Sequence, residues 1–132
     1  MTLPRNAESA PLVRHTLDAS LRGLGVTSEI RADIALALGE ACANVIQHAV
    51  ASRQYEVRAR MDGVRCVVEV IDGGQGGRVD GDPGGWLGAE ALLSDENGRG
   101  LRLIREYTEG LHISDRAHED GAVVHFEKSL AG

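Results

Sequence analysis

Three polar residues recur at every fourth position in the segment EACANVIQH, which spans residues 40–48: Glu40, Asn44 and His48. Residues four apart lie above one another on a helix, so these side chains form a stripe beside an apolar face. The carboxamide oxygen of Asn44 is a hard, neutral ligand suited to Mg²⁺, and Glu40 could accept a proton from an attacking hydroxyl or water. His48 completes the stripe as a candidate for cofactor binding. The same pattern also fits the polar margin of an ordinary amphipathic helix.

A second candidate is the glycine-rich segment IDGGQGG at residues 71–77, which directly follows an apolar stretch. A carboxylate at the end of a strand, such as Asp72, can accept a hydrogen bond from an exocyclic amine like that of adenine. Gly74 and Gly76 would let the backbone turn sharply and approach a flat ligand closely. A plain turn has a similar composition, so both interpretations stay open at this point.

The third candidate is ENGRGLRLI at residues 96–104, where a glycine loop runs into a helix. Backbone amides at a helix N-terminus bind anions, and Arg99 could add a contact to a terminal phosphate. A simple helix start with a flexible entry is the alternative. Lys128 is the only lysine and follows the last apolar stretch, which excludes a lysine-tipped phosphate loop.

The apolar spacing and the turn residues predict the elements that must position these groups. Asp62-Gly63 is a dipeptide favoured in tight hairpins, and it separates two apolar, β-branched stretches. The stretch from Asp72 to Gly98 is predicted to be a long loop with one turn of helix at 86–93, and loops of that length often cover ligands. No N-terminal strand is predicted, because that segment is short and poor in β-branched residues. The predicted helices span 9–23, about 28–50 and 100–107, and the predicted strands span 54–61, 64–71, 111–114 and 122–126.

The composition indicates one ordered domain and excludes some classes of partner. The chain has 132 residues, of which 42% are apolar, enough for a single core. A net charge of −6 and a 3% aromatic content argue against nucleic acid as a partner. Cys42 and Cys66 each lie in an apolar stretch and are predicted to be buried thiols in a reducing compartment. The N-terminal segment lacks a run typical of a signal peptide or a membrane span, so we expect a cytoplasmic protein without membrane attachment.

The order of the three candidate segments resembles the ATP-binding domain shared by histidine kinases, type II topoisomerases and mismatch-repair ATPases. In that superfamily a helix with Glu and Asn comes first, then an Asp-x-Gly-x-Gly loop, then a lid closed by a second glycine loop. The opening LPRNAESAPLVRHTLDASLRGLGV and the ending GAVVHFEK look most like the stand-alone anti-sigma-factor serine/threonine kinases. The resemblance thus covers nearly all of a single domain over residues 1–132, with the ATP lid at about 77–97. The matching positions are Glu40 and Asn44, Asp72, Gly74 and Gly76, and Gly98 and Gly100.

The resemblance implies an α+β fold: a two-layer sandwich of the Bergerat type, with a mixed, mostly antiparallel sheet and helices on one face. It implies that Asn44 binds Mg²⁺, that Glu40 is the catalytic base and that Asp72 reads adenine. Around ATP, Gly98, Arg99, Gly100 and Leu101 would lie against the phosphates. Gly121 would lie near adenine, although Ala122 follows it where the family often has Thr.

The resemblance also implies a biological role, that of a kinase which phosphorylates a protein antagonist and sequesters a sigma factor or another regulator. Relatives tend to pair through their N-terminal region, so a homodimer is an expected state. Two other functions remain open from the sequence. One is a non-catalytic module that switches partners between ATP and ADP, and the other is a small α/β domain without a nucleotide.

Overall fold

The computed structural model describes residues 1–48, 54–72, 99–115 and 122–131. This part of the chain forms five strands and three helices, which we number in chain order. They are β1 (Thr2–Pro4), α1 (Ser9–Gly23), α2 (Ser28–His48), β2 (Gln54–Asp62), β3 (Arg65–Asp72), α3 (Arg99–Tyr107), β4 (Gly110–Asp115) and β5 (Ala122–Ser129).

The five strands form one sheet in the order β1-β2-β3-β5-β4, and each of its pairings is antiparallel. The hairpin of β2 and β3 is confirmed, and Gly63 in its turn has a φ of 62°, a conformation that favours glycine. The register places Tyr55 opposite Asp72 and Val57 opposite Val70. Directly opposed residues project to the same side of a sheet, so this register determines which side chains meet the helices.

The inward face of the sheet packs against the helices and forms the core. Val68, Val70, Val124 and Phe126 are fully buried there, and α2 contacts both β3 and β5. Helices α1 and α3 each pack against α2. On the opposite face the strands carry charged residues at alternate positions, including Arg58, Glu69, His125 and Glu127. The predicted two-layer α+β fold is therefore confirmed.

Strand β1 is an element that the sequence did not predict. It pairs with the first residues of β2, and the amide of Val57 donates to the carbonyl of Met1 at 2.8 Å. Leu3, at the centre of β1, is 2% exposed. A three-residue strand has too few positions to show alternation, so its pairing with β2 and the burial of Leu3 define it.

Both cysteines are buried free thiols, as predicted. Cys42 lies on α2 and Cys66 lies on β3. Among the residues that the structure describes, no helix is both long enough and apolar enough to cross a membrane.

Candidate functional site

Helix α2 presents Glu40 and Asn44 on one stripe, as the sequence predicted. Ala41 and Val45, each one position further along, are fully buried in the core, so the stripe runs along the margin of the buried face. Asn44 is only 6% exposed and Glu40 is partly buried. Four residues of helix separate the two side chains by about 6 Å along the axis, so a single ligand can reach both.

The N-terminus of α3 lies directly against this stripe. A β-carbon on residue 100 would be 2.8 Å from Oε2 of Glu40 and 3.7 Å from both Oδ1 and Nδ2 of Asn44. Leu101 and Ile104 are buried and hold this end of α3 in place. The structure therefore brings Glu40, Asn44 and Gly100 together, although they are distant in the sequence.

Asn44 has spare hydrogen-bonding capacity in this position. Within the described ranges its buried Nδ2 atom has no hydrogen-bond partner. A buried polar atom without a partner is uncommon in native proteins and often marks a ligand site. Nδ2 is a donor and would meet an acceptor such as a phosphate or water oxygen, whereas the carboxamide oxygen of Asn44 is the kind of ligand that Mg²⁺ prefers.

Asp72 ends β3 and is 1% exposed. Its neighbour across the strand pair is Tyr55, whose hydroxyl lies 2.5 Å from Oγ of Ser9 and interacts with the thiol of Cys42. Cys42 is on α2 between Glu40 and Asn44, so this network places the Tyr55–Asp72 pair over the same half of the helix. Asp72 therefore lies on the inward face of the sheet.

Arg5 interacts with both α2 and Asp72, which the sequence analysis did not anticipate. Its Nε donates a hydrogen bond of 3.3 Å to the carbonyl oxygen of Ile46. Burial lowers the pKa of Arg5, and the nearby Asp72 carboxylate acts in the opposite direction, so the two charges interact. Arg5 lies between β1 and α1, where no periodic pattern or motif marks it.

The hydroxyl and thiol beneath the site are held neutral by burial. Burial raises the pKa of Cys42 to about 12. Its interaction with Tyr55 and the charge of Arg14 lower this pKa, but their effect is smaller. Burial likewise raises the pKa of Tyr55 to about 12. A thiol with so high a pKa is a poor nucleophile, so Cys42 has a structural role below the stripe.

Comparison with known proteins supplies the family. The family model of the histidine kinase-like ATPase domain matches residues 3–128. The chain belongs to this family. Comparison with curated proteins gives no match. Membership supports ATP binding, for which Mg²⁺ is the usual companion ion, and it agrees with the α+β fold.

Several residues predicted for the site of this histidine kinase-like domain lie outside the described residues. They are Gly74, Gly76, Gly98 and Gly121, together with the lid at 77–97 and the helical turn at 86–93. His48 ends α2 and Arg99 begins α3, but the structure describes only the backbone of these two. Their roles stay predictions. Leu101 is 7% exposed and packs into the core.

Proposed function

We propose that this histidine kinase-like domain is an ATP-dependent protein serine/threonine kinase of the anti-sigma-factor type. The observation that carries the proposal is the contact of Glu40 and Asn44 with the N-terminus of α3 at Gly100. This contact joins a potential base, a potential Mg²⁺ ligand and a helix end suited to phosphate.

In the proposed reaction each residue has one task. Asn44 would hold Mg²⁺, which when bound neutralises charge on the phosphates. The amides at the start of α3 would bind phosphate oxygens, and Asp72 would accept a hydrogen bond from the exocyclic amine of adenine. Glu40 would take the proton from a serine or threonine hydroxyl. The hydroxyl oxygen would then attack the terminal phosphorus, and ADP would leave.

The partners we propose are a protein antagonist that receives the phosphoryl group and a sigma factor or similar regulator that the domain sequesters. A homodimer and a cytoplasmic location belong to the same proposal. The net charge of −6 supports protein partners over nucleic acid.

The experiment that tests the kinase activity replaces Glu40 by Gln. With ATP labelled on its terminal phosphate and a native lysate as the source of antagonist, we expect wild-type protein to label serine or threonine of another protein. General base catalysis typically contributes 10²- to 10⁴-fold, so Glu40→Gln should lower the rate by about 100-fold or more. Its ATP affinity should change little. The matched control is Glu106→Gln, an exposed carboxylate on α3, which should leave the rate unchanged.

Two outcomes would contradict the proposal in different ways. Transfer that is unchanged in Glu40→Gln would remove Glu40 from the mechanism. Wild-type protein that binds ATP, transfers nothing and changes its partner affinity between ATP and ADP would be a non-catalytic switch.

Thermal unfolding with and without Mg²⁺ and ATP tests nucleotide binding itself. ATP at about 100 times its dissociation constant should add about 2.7 kcal/mol to the free energy of unfolding. A domain whose unfolding does not respond to the nucleotide would not bind it.

A further inference from the structure

Arg5 is the one cation that the structure links to both α2 and Asp72 within the described ranges, and the proposed reaction gives it no task. It directly follows Pro4, the last residue of β1, which pairs with Gln54 next to Tyr55. Tyr55 in turn faces Asp72 across the β2–β3 pair. Because β1 pairs with the start of β2 and the start of β2 pairs with the end of β3, Arg5 lies at the same end of the sheet as Asp72.

The guanidinium of Arg5 is held by a contact of its own. Its Nε donates to the carbonyl of Ile46, two residues after Asn44 on α2, at 3.3 Å. This hydrogen bond holds the guanidinium beside the C-terminal part of α2. The electrostatic interaction with Asp72 agrees with this placement.

The environment of Asp72 makes such a cation important. An ionised carboxylate that is 1% exposed has lost nearly all of its water, and burial without an opposite charge favours the protonated form. Only the ionised carboxylate is purely an acceptor. A protonated Asp72 could donate a hydrogen bond, and it would no longer select for an amine.

We infer that Arg5 is a positioning residue for nucleotide recognition: its guanidinium keeps the Asp72 carboxylate ionised and in place to accept from the exocyclic amine of adenine. This inference rests on the proposed function, in which Asp72 reads adenine. Arg5 does not touch the base itself. It sets the preference for adenine over a purine that carries a carbonyl at the same position.

The test compares the dissociation constants of Mg²⁺-bound ATP and Mg²⁺-bound inosine triphosphate by calorimetric titration. Inosine has a carbonyl oxygen where adenine has the amine. Arg5→Gln retains a donor for the Ile46 carbonyl but removes the positive charge. We expect the preference for ATP to fall by about tenfold or more in this variant, because a hydrogen bond to a charged group contributes about 1.5–3 kcal/mol.

Two further variants separate charge from structure. Arg5→Lys keeps the positive charge, so its preference for ATP should stay within about threefold of the wild-type value. Arg60→Gln removes an exposed arginine from β2, far along the strand from Tyr55, and should change nothing. Thermal unfolding without nucleotide shows whether each variant is folded.

The outcomes distinguish this inference from the function on which it rests. If Arg5→Gln keeps the wild-type preference for ATP, the inference about Arg5 is overturned but the proposed function is not. The same holds if Arg5→Gln loses affinity equally for both nucleotides. If Arg5→Gln does not fold, loss of the preference in a folded Arg5→Lys variant would overturn it, and retention would support it. Wild-type protein that binds neither nucleotide would overturn the proposed function and this inference with it.

Discussion

At the scale of single residues, the missing side chain of Gly100 is what permits the candidate site. Gly100 lies within α3 and does not have the positive φ found at Gly25 and Gly63. The backbone conformation at this position would therefore allow other residues. Glycine is needed there because a side chain would have no room. Any β-carbon there would lie 2.8 Å from the Glu40 carboxylate, closer than van der Waals contact allows.

Replacement of Gly100 by Ala should separate activity from stability. The carboxylate of Glu40 ends a flexible side chain and can move aside, and Ala favours a helix over Gly by up to about 1 kcal/mol. The free energy of unfolding should therefore stay within about 1 kcal/mol of the wild-type value. A displacement of Glu40, the proposed base, by about 1 Å should lower phosphate transfer by about 100-fold. Urea unfolding and labelled-phosphate transfer measure the two effects.

Gly39→Ala is the matched control for this prediction. Gly39 precedes Glu40 on α2, and among the residues with a described position a β-carbon there would meet only Arg14, with its Cδ atom nearest at 3.5 Å. This variant should keep the wild-type rate of transfer. Equal rates for Gly100→Ala and Gly39→Ala would show that the contact between position 100 and Glu40 has no role in the reaction.

At the scale of elements, an ion pair joins the end of β5 to α2. Nζ of Lys128 lies 3.1 Å from Oδ2 of Asp33 and 3.8 Å from Oε1 of Glu109, which precedes β4. The side chains of Lys128 and Asp33 are 15% and 28% exposed. Partial burial of this kind makes the loss of one partner costly, because the remaining carboxylates keep their charge without a cation.

We expect Lys128→Met to lower the free energy of unfolding by about 1–2 kcal/mol, between the values for exposed and buried pairs. Adding Asp33→Leu to this variant should recover part of the loss, because it removes the uncompensated charge. The control is Arg60→Met, since Arg60 pairs with Asp62 at 3.4 Å while both are well exposed, and it should cost less than about 0.5 kcal/mol. Denaturant unfolding of the wild type, the two single variants and the double variant measures these free energies. Equal losses in Lys128→Met and Arg60→Met would refute the prediction.

The elements also show where prediction from sequence succeeds. The helix over Ser9–Gly23 and the hairpin at Gly63 were predicted, because repeated apolar spacing and turn residues act locally. Strand β1 was not predicted, and β5 continues to Ser129, beyond its predicted end at residue 126. In both cases the unpredicted residues pair with a strand that is remote in sequence, β1 with β2 and the end of β5 with β3, and there pairing outweighs local preference.

At the scale of the whole molecule, buried thiol and phenol groups that stay protonated in the folded chain make its stability depend on pH in the alkaline range. Burial raises the pKa of Cys42 from 9.0 to about 12 and that of Cys66 from 9.0 to about 11. Tyr55 is raised from 10.0 to about 12, also mainly by burial. Below pH 9 both thiols are protonated in the folded and the unfolded chain, so their contribution to stability is complete. Above pH 9 the unfolded chain loses these protons first, and stability falls.

We therefore predict that the free energy of unfolding decreases from about pH 9 toward pH 11–12. Each group that is ionised only in the unfolded chain contributes a slope of about 1.4 kcal/mol per pH unit. Urea unfolding at intervals of half a pH unit measures the slope. Cys42→Ala should make it shallower between pH 9 and pH 11, because one of the two thiols is removed. A slope that stays the same in this variant would contradict the assignment.

The class of fold, most of the elements and the order of the segments that carry Glu40, Asn44 and Asp72 were predictable from the sequence. These features follow from local periodicity, turn chemistry and the order of motifs, all of which act over short stretches. The packing of Gly100 against Glu40 and the interactions of Arg5 with α2 and Asp72 could be learned only from the folded structure. Such contacts depend on how the layers pack and on strand register, which bring distant residues together through burial and pairing that no local pattern encodes.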